Sequence, residues 1–181
     1  MNILEDNNAT GLLSVGTKEK LEEIIKHCFY CNRIADRIIS ALSIRFVMPI
    51  TVSILHPKLA HLYPTLADEI SDYMDARNCT VIYGETPIGN QSYETPKECF
   101  EKMLKLNLEL ETLTIEAIKY VENEKDYTTK VFLDSFLKEL IPVTASILLL
   151  VDKARLYGDE PSKWMDFDND IEDFPLFGKE D

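Results

Sequence analysis

Glycine is scarce, six in 181 residues, and proline contributes only eight. That excludes collagen-like, linker-rich and low-complexity chains, which need those residues in bulk. No apolar run approaches the ~18 residues a membrane-spanning helix requires, so no span is expected. Basic residues are in deficit, 19 Lys and Arg against 32 Asp and Glu, for a net charge of −13. A chain so acidic is repelled by phosphate backbones and anionic lipid, and neither nucleic acid nor membrane is expected as a partner. Residues 1–16 lack the basic and apolar regions of a signal peptide, so a cytoplasmic location is expected. In that reducing compartment the four cysteines read as buried thiols.

What is present reads as globular. The hydrophobic share is 45% and the charged share 28%, and the length suits one domain with a core that needs no disulfide or metal staple. Residues 1–16 read as a flexible arm. Apolar residues then recur at helical spacing (Leu21, Ile24, Cys28, Cys31, Ala35, Ile38, Leu42), which predicts a first helix over about 17–46 with Thr17 as N-cap. Pro49 is expected to end or kink it, and 47–55 to form a buried turn. A second helix is predicted over 57–77, kinked at Pro64.

Residues 78–94 carry Gly84, Pro87, Gly89, Asn90 and Ser92, and read as one long crossover. Thr95-Pro96-Lys97-Glu98 is a capping box with proline at the first helical position, and starts a third helix reaching about 123. Lys125-Asp126 turns the chain into a fourth helix over 127–156, with Pro142 as a second expected kink and Gly158 as the stop. Residues 159–181 form an acidic tail with Trp164, Phe167, Phe174 and Phe177 interleaved, which favours docking over disorder.

Short, long and short connections between four long helices predict an all-α, up-down-down-up four-helix bundle over 17–158. It has one long crossover and a short C-terminal segment.

The second half resembles ferritin. Tyr93-Glu94-Thr95-Pro96 matches the family's F-E-S-P entry to the third helix. Glu124-Lys125-Asp126-Tyr127-Thr128-Thr129 matches the E-x-G-D-Y-A-T turn. Phe132-Leu133, Phe136, Glu139 and Ala145-Ser146 continue the match. Arg77-Asn78-Cys79-Thr80-Val81 sits where the family has R-G-G-R-V, and Trp164-Met165-Asp166-Phe167-Asp168 resembles the terminal segment of non-haem bacterial ferritins. The resemblance spans about 20–171 and is densest over 93–158.

Ferritins oxidise Fe(II) at a carboxylate-rich di-iron site between facing helices. Carried over by that resemblance, the first-helix Glu falls on Cys28, or on Tyr30 with a shorter loop. The second-helix E-x-x-H falls on Tyr63 and Leu66, the third-helix Glu on Asn107, and the fourth-helix Gln on Leu140. Of the extra carboxylates near a third iron site only Glu139 remains, beside Pro142 and Val143. A di-iron centre of this kind uses about four carboxylates, and the expectation is a degenerate one. No catalytic, cofactor-binding or metal-ligating residue is assigned.

Other candidates are weaker. Cys28-Phe29-Tyr30-Cys31 is a C-x-x-C without the second pair a zinc site needs, Cys79 and Cys99 being isolated. His27, His56 and His61 do not share a face with an acid at ligand spacing, and the five-residue step from His56 to His61 suits no single α-helical face. Asp166-x-Asp168-x-Asp170 begins like a calcium loop, but Ile171 and Phe177 stand where Gly and Glu are required. Asn107, polar on an apolar stripe, is expected to bond Tyr30 or Tyr63.

The resulting expectation is a non-catalytic iron-storage shell or scaffold subunit, with no cofactor of its own and iron only if the family role is kept. The resemblance implies a homo-oligomer, a dimer on the first two helices or a 24-subunit cage, with co-assembly with an active ferritin subunit as a further option. The alternative is a metal-free binding or adaptor protein on the same bundle.

Overall fold

The computed structural model describes residues 11–177. The first ten residues of the expected arm and the last four of the tail lie outside that range. The described chain is helical throughout, without strands.

Helix α1 spans Val15–Ile44. Its N-cap is Ser14 rather than Thr17, and the Ser14 hydroxyl accepts from the Thr17 amide at 3.1 Å. Thr17 is instead buried inside the first turn, where its own hydroxyl accepts from Ser14 at 3.0 Å. The chain turns at Arg45–Met48 with Val47 at φ 54, a backbone state that costs a β-branched residue energy.

Pro49 does not end a helix; it begins one. Helix α2 covers Pro49–Leu55, a π-turn covers His56–Ala60, and α3 covers Leu62–Ala76. Together they form the second long run of the bundle, longer at its start than the sequence predicts. Proline at the first helical position has no amide to waste, which is why 47–55 is helix and not a turn. Pro64 likewise falls in the first turn of α3, not in a helix interior, and the break in regular α-helix lies upstream in the π-turn. Because Pro64 cannot donate, the Ala60 carbonyl is left without a helical partner, and Asn32 Nδ2 of α1 donates to it at 3.0 Å.

The crossover lies along α1. Arg33 Nη1 donates to the Thr86 and Pro87 carbonyls at 3.0 and 3.1 Å, Arg37 Nε donates to Gln91 O at 2.9 Å, and the Ile82 amide donates to Glu22 at 2.8 Å. At Gly89 an added Cβ would come within 3.2 Å of the Arg33 carbonyl oxygen, so only glycine fits there without a shift.

Helix α4 spans Pro96–Asn123. Thr95 accepts from the Glu98 amide at 3.3 Å and Glu98 accepts from the Glu94 amide at 2.8 Å, which realises the box one residue wider than its usual form. Lys125 at φ 61 reverses the chain, and Asp126 caps α5, Tyr127–Tyr157. Pro142 lies inside α5 on its exposed side, and the helix runs through it. Gly158, at φ 94, stops it.

The described part of the tail docks. Helix α6, Pro161–Asp170, and a 3-10 turn at Ile171–Asp173 bring Phe167, Ile171, Phe174 and Leu176 into the core. Phe167 stacks on Phe100 at 5.5 Å, and Trp164 meets the Phe46 edge at 5.1 Å. Asp168 is 5% exposed. Its carboxylate accepts from the Ile50 and Thr51 amides at 3.2 and 2.7 Å, capping α2, whose own N-cap Met48 has no side-chain acceptor. Asp168→Ala should therefore cost about 1–2 kcal/mol, a Tm loss of roughly 2–8 °C at this chain length. Asp170→Ala, removing a surface acid, should cost less. Equal Tm values for the two variants in a calorimetric scan would refute the cap.

Candidate functional site

The inward faces of α1, α3, α4 and α5 meet midway along the bundle. Cys28 is 0% exposed, Tyr63 1%, Leu66 2%, Asn107 0% and Leu140 0%. All five positions that the family resemblance marks are therefore enclosed by protein.

Their polar members form a chain of hydrogen bonds. The Tyr63 hydroxyl donates to Asn107 Oδ1 at 3.2 Å, and Asn107 Nδ2 donates to Thr144 Oγ1 at 2.5 Å. Thr144 in turn donates to the Glu111 carboxylate. The array runs from the centre of the bundle to a half-buried acid at its edge. Of the two partners the sequence suggests for Asn107, Tyr63 is the one that bonds it. Tyr30, the other candidate, is half-buried and lines a surface groove of about 460 Å³ with His27, Glu23, Glu109 and Pro87. Thr144 and Glu111 escaped the sequence reading. A signal existed: Glu111 follows Asn107 by four residues and Thr144 follows Leu140 by four, each one helical turn along the same side.

Burial sets the protonation of this region. Desolvation raises the Cys28 thiol far above its ordinary range. It also raises Cys31, with the neighbouring Cys28 adding to the effect. Tyr63 is raised too, first by burial and then by the two cysteines, which places the thiols beside the phenol. Cys31 Sγ reaches the Leu106 carbonyl at 3.9 Å. Both cysteines are held as neutral thiols, poor metal ligands and poor nucleophiles. Cys99 is buried with its thiol pushed up to about 12, again chiefly by desolvation, and Cys79 is half-buried.

Glu139 of α5 is near enough for its charge to act on Glu69 of α3. Burial first and the Glu139 charge second raise the Glu69 carboxyl above its normal value. The two carboxylates belong to helices distant in sequence, and no spacing rule relates them.

The histidines are distributed otherwise than the sequence suggests. His27 Nε2 donates to the Leu106 carbonyl at 3.0 Å. The His56 and His61 rings, five residues apart, meet at 4.5 Å. The π-turn between them explains this: its i to i+5 closure, seen in His61 N donating to His56 O at 3.2 Å, brings such residues onto one side. Asp166, Asp168 and Asp170 diverge to Lys163, the α2 amides and the Tyr157 hydroxyl. Among the described residues no group of three or more His, Cys, Asp or Glu is placed to hold a metal ion.

A four-helix bundle with one long crossover, enclosing its centre between four facing helices, is the architecture of the ferritin-like class. The chain belongs to that family: the ferritin-like domain model matches residues 58–156. Among solved structures, a humanized archaeal ferritin superposes with a TM-score of 0.81 at 18% identity, covering 91% of this chain and 98% of its own. An open-pore ferritin from the hyperthermophilic archaeon Archaeoglobus fulgidus has a TM-score of 0.81 at 19% identity, covering 88% of this chain and 96% of its own. A closed form engineered from the Archaeoglobus fulgidus ferritin gives 0.81 at 18%, covering 91% of this chain and 99% of its own. At these identities the likeness is one of fold. No curated protein matches the chain.

Proposed function

We propose that this chain is a storage-type or scaffold subunit of the ferritin family that lacks a working di-iron oxidation centre. The observation that carries the reading is the Tyr63–Asn107 hydrogen bond of 3.2 Å, made by two residues at positions where the family places carboxylates. A phenol and an amide that satisfy each other leave no hard anionic oxygen for iron. Around them stand a protonated thiol at Cys28 and aliphatic side chains at Leu66 and Leu140. This donor set does not fit a di-iron centre, and no oxidation step is derived through one. Iron, where present, is cargo, and the exposed acids of a chain with net charge −13 supply the weak oxygen contacts for it. A homo-oligomer built on α1 and the α2–α3 run, alone or with a catalytically active subunit, belongs to the same reading.

The test is Fe(II) oxidation in air, followed by absorbance in a stopped-flow instrument. The rate with protein should equal the rate in buffer. A fast phase saturating near two irons per chain would overturn the proposal. Light scattering joined to metal analysis separates storage from the adaptor alternative: a large iron-loaded shell supports storage, and a metal-free monomer or dimer supports the adaptor.

A further inference from the structure

The chain has three histidines, and the fold brings two of them together. The His56 and His61 rings stand with centres 4.5 Å apart and planes inclined at 57°. Both residues are exposed. Neither ring makes a hydrogen bond or ion pair with another described residue, whereas His27 engages the Leu106 carbonyl through Nε2. A neutral imidazole carries a lone pair on one ring nitrogen, so the two rings offer two uncommitted donors to solvent. The segment that joins them is the π-turn His56–Ala60, an irregularity that frequently marks a functional site.

We propose that His56 and His61 chelate a divalent transition ion of borderline softness, Cu(II), Ni(II) or Zn(II), with water completing its shell. The spacing carries the argument. A metal–imidazole bond is about 2.0–2.1 Å long, which puts the ring centre about 3.2 Å from the ion. Two such rings at right angles about the ion have centres about 4.5 Å apart, and at the tetrahedral angle about 5.2 Å apart. The observed 4.5 Å is the right-angle value. The backbone thus holds the rings at a chelating separation, and side-chain rotation on an open surface aims the nitrogens. In a regular α-helix a five-residue step ends about 140° away from the starting side. Closure from i to i+5, with His61 N donating to His56 O at 3.2 Å, removes that offset.

The donor set selects the ion. Imidazole suits Cu, Ni and Zn, Mg(II) and Ca(II) prefer oxygen, and Fe(II) ranks below Ni(II) and Cu(II) in divalent affinity. The net charge of −13 draws cations towards the surface. With two protein donors and the remaining positions open to water, the ion exchanges freely, unlike one in a closed structural site. The pair lies outside the enclosed centre, and the proposal is independent of the storage reading.

Cu(II) is the probe, because it heads the affinity series and its electron paramagnetic resonance spectrum counts the nitrogens bound to it. In a Cys79→Ser background, which removes the half-buried thiol, one equivalent of Cu(II) should show coupling to two imidazole nitrogens. His56→Gln and His61→Gln should each weaken binding in a calorimetric titration by about tenfold or more, because loss of either ring ends the chelate. His27→Gln should bind as the parent does. Zn(II) should compete for the site, and excess Mg(II) should leave the copper in place. His56 and His61 are exposed, so metal-free melting of each variant should match the parent's, which separates lost binding from lost fold. Copper held by one nitrogen or none, equal affinity in the parent and both single variants, or two ions per chain with one lost alongside each histidine would each overturn the proposal. None of these readouts follows iron oxidation, so failure here leaves the storage reading standing.

Discussion

Replacing Cys28 with Glu, Tyr63 with Glu, Leu66 with His, Asn107 with Glu and Leu140 with Gln in one chain should abolish the cooperative melt of the metal-free protein. The five sites are between 0 and 2% exposed. Three new carboxylates, an imidazole and an amide would stand in a core that offers them few partners. Each unpaired buried charge costs several kcal/mol after relaxation, and each unpaired buried polar group costs about 1–3 kcal/mol. The sum is of the same order as the ~5–15 kcal/mol that hold a domain together. Circular dichroism in chelator should show a broad, shallow transition. Fe(II) added without air should sharpen it, because a metal that binds only the folded state stabilises that state. A sharp melt in chelator would mean that these positions are not enclosed. A broad melt that Fe(II) leaves unchanged would mean that the helices do not bring the five sites onto one ion.

Asn107→Leu is expected to destabilise the protein despite placing an aliphatic side chain in an apolar interior. The Tyr63 hydroxyl is enclosed, and Asn107 Oδ1 is its partner at 3.2 Å. Stranding that donor costs about 1–3 kcal/mol, or roughly 2–12 °C in Tm at this chain length. Thr144 suffers less, since it keeps Glu111 and the Leu140 carbonyl. Tyr63→Phe combined with Asn107→Leu should regain most of the loss, because removing both partners leaves nothing unpaired. A Tm that rises in Asn107→Leu alone would show that the hydrogen-bond array does not hold the centre together.

The sequence alone was sufficient for features that depend on neighbours a few residues apart. The Thr95–Glu98 box, the Asp126 turn and the Gly158 stop are local hydrogen-bond or backbone requirements, and each sits where the residues call for it. The helical stripes were legible for the same reason, since apolar spacing reports burial directly. So was the enclosed state of Cys28, Tyr63, Leu66, Asn107 and Leu140. The partnership of Tyr63 with Asn107 is legible as one of two alternatives, and only the structure, which sets the Tyr63 hydroxyl across the bundle within 3.2 Å of Asn107 Oδ1, chooses between Tyr30 and Tyr63.

Other features required the tertiary structure, because their partners are far away in the chain. Pro49 could end α1 or begin α2, and a free carboxylate decides: Asp168, 118 residues from Ile50, supplies the cap that makes a helix start there favourable. Pro64 reads as an interior proline along the chain, yet it stands in the first turn of α3, and Asn32 of another helix donates to the Ala60 carbonyl. α-Helical periodicity separates His56 from His61, and only the π-turn brings their rings together. The end of the Asn107 array at Glu111 likewise arises where α4 and α5 touch. What the sequence by itself determined is therefore the bundle, its crossover and the enclosed character of its centre, all products of local propensity and apolar period. What only the tertiary structure decided is which polar groups satisfy one another, because a hydrogen bond is set by distance in space and not by distance along the chain.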